Sequence, residues 1–190
     1  MRIQAEKLRA VMERQNAAPG QLAQALASDA FPEKEALRAV NNWMVGRDHP
    51  RCKAPMARKM ADTLGVPVAE ICKFTSMVRN HRGSPRKAKL LVDLIRGKSV
   101  EEAENLLTFT TKRAAVNLKR CLMAARTDAE AAQASYDRLF VSEARVDGGA
   151  IMKRFQPKDR GRAHSIHKPF SHLLVSVEER PAGAGRRRKR

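Results

Sequence analysis

Along the chain the spacing of apolar positions changes character twice, and each change predicts a different kind of structure. Over the first 75 residues the period is helical and the segments are short. Ile3, Leu8, Val11 and Met12 fall on one helical face. Pro19-Gly20 interrupts that face and GQLAQALA resumes it; a looser SDAFPEK then leads to EALRAVNNWMVG, where Leu37, Val40, Trp43 and Met44 share a side. After RDHPRCK comes PMARKMADTLG, with Pro55 at a helix start and Gly65 as its stop. A last short turn, PVAEICKF, closes the segment. The stretch SMVRNHRG reads as extended, and three helices follow it. Ser84 caps the first, Pro85 takes its first position, and Leu90, Leu91, Leu94 and Ile95 face inward up to Gly97. Ser99 opens the second, with Glu101 and Glu102 in the first turn where the helix dipole favours acids. Residues 110–134 form the longest, with an apolar stripe of Ala115, Leu118, Leu122 and Ala125.

The period then drops to two. Leu139–Val146 and Leu173–Val177 alternate as strands do. Between them, Asp147 to His172 has no hydrophobic core of its own and is longer than compact domains tolerate as a structureless loop. The pattern predicts a hairpin over residues 141–177 that projects from the body, with a tip that protein packing cannot stabilise. The expected fold class is α+β: a three-helix bundle packed on a small antiparallel sheet with a long projecting β-hairpin, plus an all-α N-terminal extension domain. Residues 1–75 form the extension, 76–180 the core with its hairpin, and 181–190 (PAGAGRRRKR) a basic disordered tail.

Charge sharpens this division. The chain carries a formal net charge of +18. Residues 1–75 hold 12 Lys/Arg against 8 Asp/Glu, and residues 76–190 the other 26 against 12, so the excess lies in the second part. A surface this basic repels itself unless a polyanion neutralises it, and the expected partner is a nucleic acid. Aromatic residues are only 4%, too few for stacking platforms that read splayed bases. No apolar run approaches the roughly 20 residues that span a bilayer, and MRIQAEKLRAVMERQ lacks the apolar stretch of a secretory signal. A soluble, cytoplasmic protein without a membrane partner is expected. Cys52, Cys72 and Cys121 are odd in number and widely spaced, which supports neither a disulfide framework nor a zinc site. His49 and Cys52 have ligand-like spacing but no second pair. Arg96-Gly97-Lys98-Ser99 resembles the end of a phosphate-binding loop, yet a helix precedes it where a strand is required. With no carboxylate–histidine pair beside a nucleophile, the reading is of a non-enzyme without metal, cofactor or small-molecule substrate.

Three basic segments carry the candidate chemistry. The first is Arg79, Arg82, Arg86, Lys87 and Lys89, with no acid among them. Arg86 and Lys87 occupy a helix first turn, where the dipole disfavours cations unless phosphates sit there too. A solvated charged face is the plainer reading of such a run. The second is the hairpin, with Lys153, Arg154, Lys158, Arg160, Arg162 and Lys168 against the single Asp159, and with His164, His167 and His172. Gly148, Gly149 and Gly161 allow close backbone approach or positive φ, while Pro157 and Pro169 stiffen the arms. A thin ribbon of this kind can lie between RNA helices and meet phosphates on both sides. The third is the GRRRKR tail, a salt-sensitive polycation arm.

Two resemblances follow from these residues. Gln21–Ala27 and Ala39–Gly46, followed by Ala57–Leu64, Gly65-Val66 and Val68–Ile71, resemble the phage-repressor type of helix-turn-helix, with Arg38, Asn41 and Asn42 available to a groove. On that resemblance, a DNA-binding regulator is the alternative function. SPRKAKLLVDLIRGKSVEEAENLL, FTTKRAAVNLKR and MKRFQPKDRGRAHSIHKPFSHLLVSV closely resemble the family of large-subunit ribosomal protein twenty-two, in bacterial numbering, over residues 79–178. That resemblance implies three helices on a small sheet, a hairpin reaching into ribosomal RNA, early binding during subunit assembly and a place in the wall of the nascent-peptide exit tunnel. It implies ribosomal RNA, neighbouring ribosomal proteins and the nascent peptide as partners. The implied RNA-binding residues are Arg79, His81, Arg82, Ser84, Arg86, Lys87, Lys89, Lys112, Lys119, Lys153, Arg154, Lys158, Arg160, Gly161, Arg162, His164, Lys168 and His172. Met152, Lys153, Arg154, Phe155, Pro157 and Arg160 are the implied tunnel-proximal tip. The chain differs from the family pattern at Asp128–Ala131, at Asp147–Ala150 and in the less cationic run His164–Pro169.

Overall fold

The structure is a computed structural model that describes residues 1–28 and 31–180; the tail expected over 181–190 lies outside the described residues. The chain forms two compact units that interleave in sequence. Among the described residues, unit 1 comprises Met1–Phe74, Thr127–Leu139 and residues 178–180, and unit 2 comprises Thr75–Arg126 and Phe140–Val177.

In unit 1 a two-residue strand β1 (Arg2–Ile3) precedes helices α1 (Ala5–Arg14), α2 (Pro19–Leu26), α3 (Glu33–Met44), α4 (Ala54–Leu64) and α5 (Val68–Ile71). Strand β2 (Cys72–Arg82) starts here, pairing antiparallel with β1 through Arg2↔Lys73 and Ile3↔Cys72. Ile3 therefore belongs to a strand and not to the face of α1, which buries Leu8, Val11 and Met12. In α3 the buried face is Ala36, Ala39, Val40 and Trp43. Leu37, expected inward, is 39% exposed, because one helical step of about 100° from Ala36 carries it off that face. Pro55 and Gly65 do bound α4, with Gly65 at φ 64 closing its C-terminus. The interior joins these helices around Leu8, Leu22, Val40, Trp43, Met60 and Ile71.

Unit 2 holds α6 (Pro85–Ile95), α7 (Val100–Phe109) and most of α8 (Arg113–Glu130), with strands β3 (Leu139–Pro157) and β4 (Ala163–Glu179). The strand order is β1-β2-β4-β3. Ser84 stands at the N-cap of α6 and Pro85 at its first position. The Ser99 hydroxyl accepts from the Glu102 N–H at 3.3 Å, as the sequence predicts for α7. α6 buries Ala88, Leu91, Val92 and Ile95. Leu90 and Leu94 are instead 59% and 39% exposed: the four inner positions complete one stripe at helical spacing and leave these two outside it. The stripe of α8 (Ala115, Leu118, Leu122, Ala125) is buried as expected. The helices are tied to the sheet by polar contacts. Cys121 of α8 donates to the Ser76 carbonyl of β2 at 3.2 Å. The turn after α6 exchanges backbone bonds with Val141, and Arg96 donates twice to the Ala144 carbonyl of β3, at 3.2 and 2.7 Å.

Candidate nucleic-acid interface

The hairpin arms change character along their length. Near the body, Leu139, Val141 and Ala144 of β3 are buried, and β4 is buried without a break from Leu173 to Val177, not in the alternation its sequence suggests. Beyond that, every residue from 150 to 165 is exposed. The strand pairing outlasts the apolar pattern because backbone N–H and C=O groups need only each other, whatever their side chains. A turn at Asp159–Gly161 reverses the chain, with Arg160 (φ 57) and Gly161 (φ 71) both left-handed. Gly161 occupies such a conformation without cost, and Arg160 is held there by its neighbours. The Lys158 N–H donates to the Arg162 carbonyl at 2.7 Å and closes the turn. Further in, a Cβ on Gly149 would lie 3.1 Å from the backbone of Phe170, so a side chain there would push the facing arm away by a few tenths of an ångström.

The charge follows the same gradient. At the base Arg145 pairs with Glu143 and Asp147, at 3.6 and 3.5 Å. Outward from there Lys153, Arg154, Lys158, Arg160 and Arg162 are exposed and form no ion pair among the described residues. Met152, Phe155 and Pro157 lie on the outer part of β3, before the turn that contains Arg160. Phe155 is 76% exposed. His164 is exposed and Lys168 half-buried on β4. The ribbon thus presents uncompensated cations and three bare apolar side chains, Ile151, Met152 and Phe155, that a protein core does not cover.

The first basic segment divides. Arg79 and Arg82 on β2, and Arg86, Lys87 and Lys89 on α6, are all exposed. His81 is not: it is 5% exposed, and its Nδ1 lies 2.7 Å from the Asn117 side-chain nitrogen. Burial lowers its pKa, and the Arg113 charge adds to the effect, so the neutral ring is favoured. A neutral buried imidazole positions β2 against α8 and offers little surface to a phosphate. His172 is also engaged, its Nδ1 accepting from the Asn80 N–H at 3.1 Å. Lys112 is exposed, whereas Lys119 pairs with Glu104 at 3.3 Å and donates to Thr108. Ser84 is half-buried, and its carbonyl, not its hydroxyl, accepts from α6. Sequence reading missed Arg96, whose clamp on Ala144 sets the root of the hairpin. Its place just before a glycine stop was the available signal.

Among the described residues no group of His, Cys, Asp and Glu is arranged to hold a metal, and no helix is long and apolar enough to cross a membrane. An α+β unit with a bare cationic ribbon is built to bind a polyanion along its backbone. Comparison with known proteins gives the family. The profile described as Ribosomal protein L22p/L17e matches residues 76–178, and the chain belongs to that family of structural, non-enzymatic ribosomal proteins. It is 43% identical over 104 residues to the large ribosomal subunit protein uL22 of Syntrophotalea carbinolica, a match covering 54% of this chain and 94% of that protein. With the uL22 of Lactobacillus helveticus the identity is 44% over 115 residues, covering 58% and 96% of the two chains. The uL22 of Citrifermentans bemidjiense is 45% identical over 100 residues, covering 52% and 90%.

Proposed function

We propose that the chain is a structural constituent of the large ribosomal subunit that binds ribosomal RNA and supports subunit assembly. The observation that carries this is the outer hairpin, residues 150–165, fully exposed and bearing five cations against one acid, within a family match spanning the whole fold that supports it. On this reading Lys153, Arg154, Lys158, Arg160 and Arg162 meet phosphates on both sides of the ribbon, and His164 and Lys168 extend the contact. Gly161 permits the turn that lets it insert. Arg79, Arg82, Arg86, Lys87, Lys89 and Lys112 form a second contact on the body. The protein resides with the ribosome in the cytoplasm, among neighbouring ribosomal proteins.

The tunnel role is a finer part of the same proposal. Met152–Phe155, Pro157 and Arg160 line the nascent-peptide exit tunnel, and the exposed Phe155 meets the passing chain. Residues 1–75 act as a helix-turn-helix-like accessory extension: α2 packs on α3, residues 27–32 link them, and Trp43 is buried at 2% exposure. Sedimentation tests the whole reading. A tagged full-length chain should travel with large subunits at high salt, and a photo-crosslinker at Phe155 should capture nascent peptide in translating ribosomes. A chain that sediments free of large subunits and protects duplex DNA would overturn the ribosomal role. Incorporation without crosslinks to nascent peptide would remove the tunnel role alone.

A further inference from the structure

Unit 1 carries a basic surface that the hairpin's role does not use. Between residues 47 and 59 it exposes Arg47, Arg51, Lys53, Arg58 and Lys59 against a single acid, Asp48. Arg2 already engages Asp48 at 3.4 Å, and none of the five cations forms an ion pair among the described residues. The segment is held in place although much of it is not helical. Trp43 Nε1 donates to the Pro50 carbonyl at 2.7 Å, Asn42 Nδ2 donates to the His49 carbonyl at 2.8 Å, and Cys52 is buried at 4% exposure. Arg51, Lys53 and Arg58 edge a groove of about 500 Å³, with Ala131 and one acid, Asp128, on its other side. Arg58 reaches the Ala131 carbonyl at 3.5 Å. Lys53 stands at the N-cap of α4, a position where its charge opposes the helix dipole and its side chain cannot accept a hydrogen bond.

Five cations that lack an ion-pair partner among the described residues, one of them at a helix start, fit a run of phosphates. The segment has no Phe, Tyr or Trp to stack on bases, and the Asn42 amide nitrogen that could read a base edge is committed to the His49 carbonyl. The helix expected to enter a groove is no better suited, since α3 exposes Glu33 and Glu35 beside Lys34 and Arg38. We propose that residues 47–59 form a third phosphate-binding surface whose ligand is the backbone of double-helical ribosomal RNA, gripped without reading its sequence. The proposal rests on the ribosomal role argued above.

The test uses the full-length chain and a large-subunit RNA transcript. Binding is measured across salt concentrations for wild type, R51Q/K53Q/K59Q and K34Q/R38Q, with hydroxyl-radical footprints of each complex. The triple variant should flatten the log–log salt dependence by about 2–3, close to one per lost phosphate contact. It should also lose one patch of protection on base-paired RNA while the hairpin's patch persists; K34Q/R38Q should behave as wild type. In the wild-type complex, Lys53 and Lys59 should resist acetylation while Lys34 reacts, a readout independent of any variant's folding. An unchanged slope and footprint in the triple variant, or reactive Lys53 and Lys59 in the complex, overturns the proposal. So does loss confined to K34Q/R38Q, or duplex DNA outcompeting the transcript, since either returns recognition to α3. Wild type failing to bind the transcript at all would instead strike the ribosomal reading.

Discussion

Buried between β2 and α8, the imidazole of His81 resists protonation, and the sign of the resulting pH dependence follows from linkage. An unfolded His81 takes a proton near about pH 6.5. The folded one, desolvated and close to Arg113, takes it only at lower pH. Below about 6.5 the unfolded chain therefore binds more protons, so this contribution to stability is complete above that pH and declines beneath it. Denaturant midpoints measured between pH 5 and 7.5 should fall more steeply for wild type than for His81→Asn; parallel curves would contradict the burial argument. The three cysteines make a second residue-scale case. Burial pushes the Cys52 and Cys72 thiols up to about 12 and raises that of Cys121. All three should be inert to a thiol reagent at pH 8 in the native chain and fully labelled in denaturant. Their number and spacing were legible in the sequence, which argued against a disulfide or zinc framework; their inertness comes from packing. The same limit applies to His81, which in sequence is one more basic-segment residue.

At the scale of elements, the hairpin was readable as a hairpin because its two ends alternate and its middle cannot fold onto anything. Its regularity was not readable: β3 runs to Pro157 and β4 begins at Ala163, well past the alternating runs. Exposed paired strands need no apolar period, so no side-chain pattern records them. Gly149→Val should press a branched side chain against the Phe170 backbone, 3.1 Å from where its Cβ would sit, and cost about 1–3 kcal/mol in thermal or denaturant unfolding. Arg160→Ser with Arg162→Ser should do the opposite. Both side chains are exposed and unpaired among the described residues, so Tm should hold while the salt slope of RNA binding falls by about 2. Helix faces show a different limit. In α6 the adjacent Leu90, Leu91, Leu94 and Ile95 fit more than one stripe, and only contact with the rest of the fold selects Leu91 and Ile95.

For the whole molecule, a charge step near residue 75 suggested a simple cut between extension and core. The compact units divide the chain less simply. Thr127–Leu139 and residues 178–180 share a unit with Met1–Phe74, and Lys7 pairs with Glu178 at 3.0 Å. Truncation is best placed before Cys72, which keeps β2 whole with Phe74, a residue with no exposed surface. A chain lacking residues 1–71 should still enter large subunits, as gradient sedimentation would show, because the family core is retained. Its Tm off the ribosome should drop by several degrees, since residues 127–139 lose partners such as Arg58. Complete loss of incorporation would show that the extension is no accessory.

What the sequence determined by itself was local or additive: the helix starts at Ser84 and Ser99, the stop at Gly65, the period that separates helices from strands, the sum of charges, and the motifs that name the family. Each depends on neighbours in the chain or on composition, so each is written in residue order. What only the tertiary structure decided was which side of α3 and α6 meets the core, that His81 is interior, that Arg96 clamps Ala144, and that the stretch from Arg47 to Lys59 is a fixed basic surface. Those outcomes depend on contacts between segments far apart in sequence, where desolvation and hydrogen bonding act on groups that no local pattern brings together.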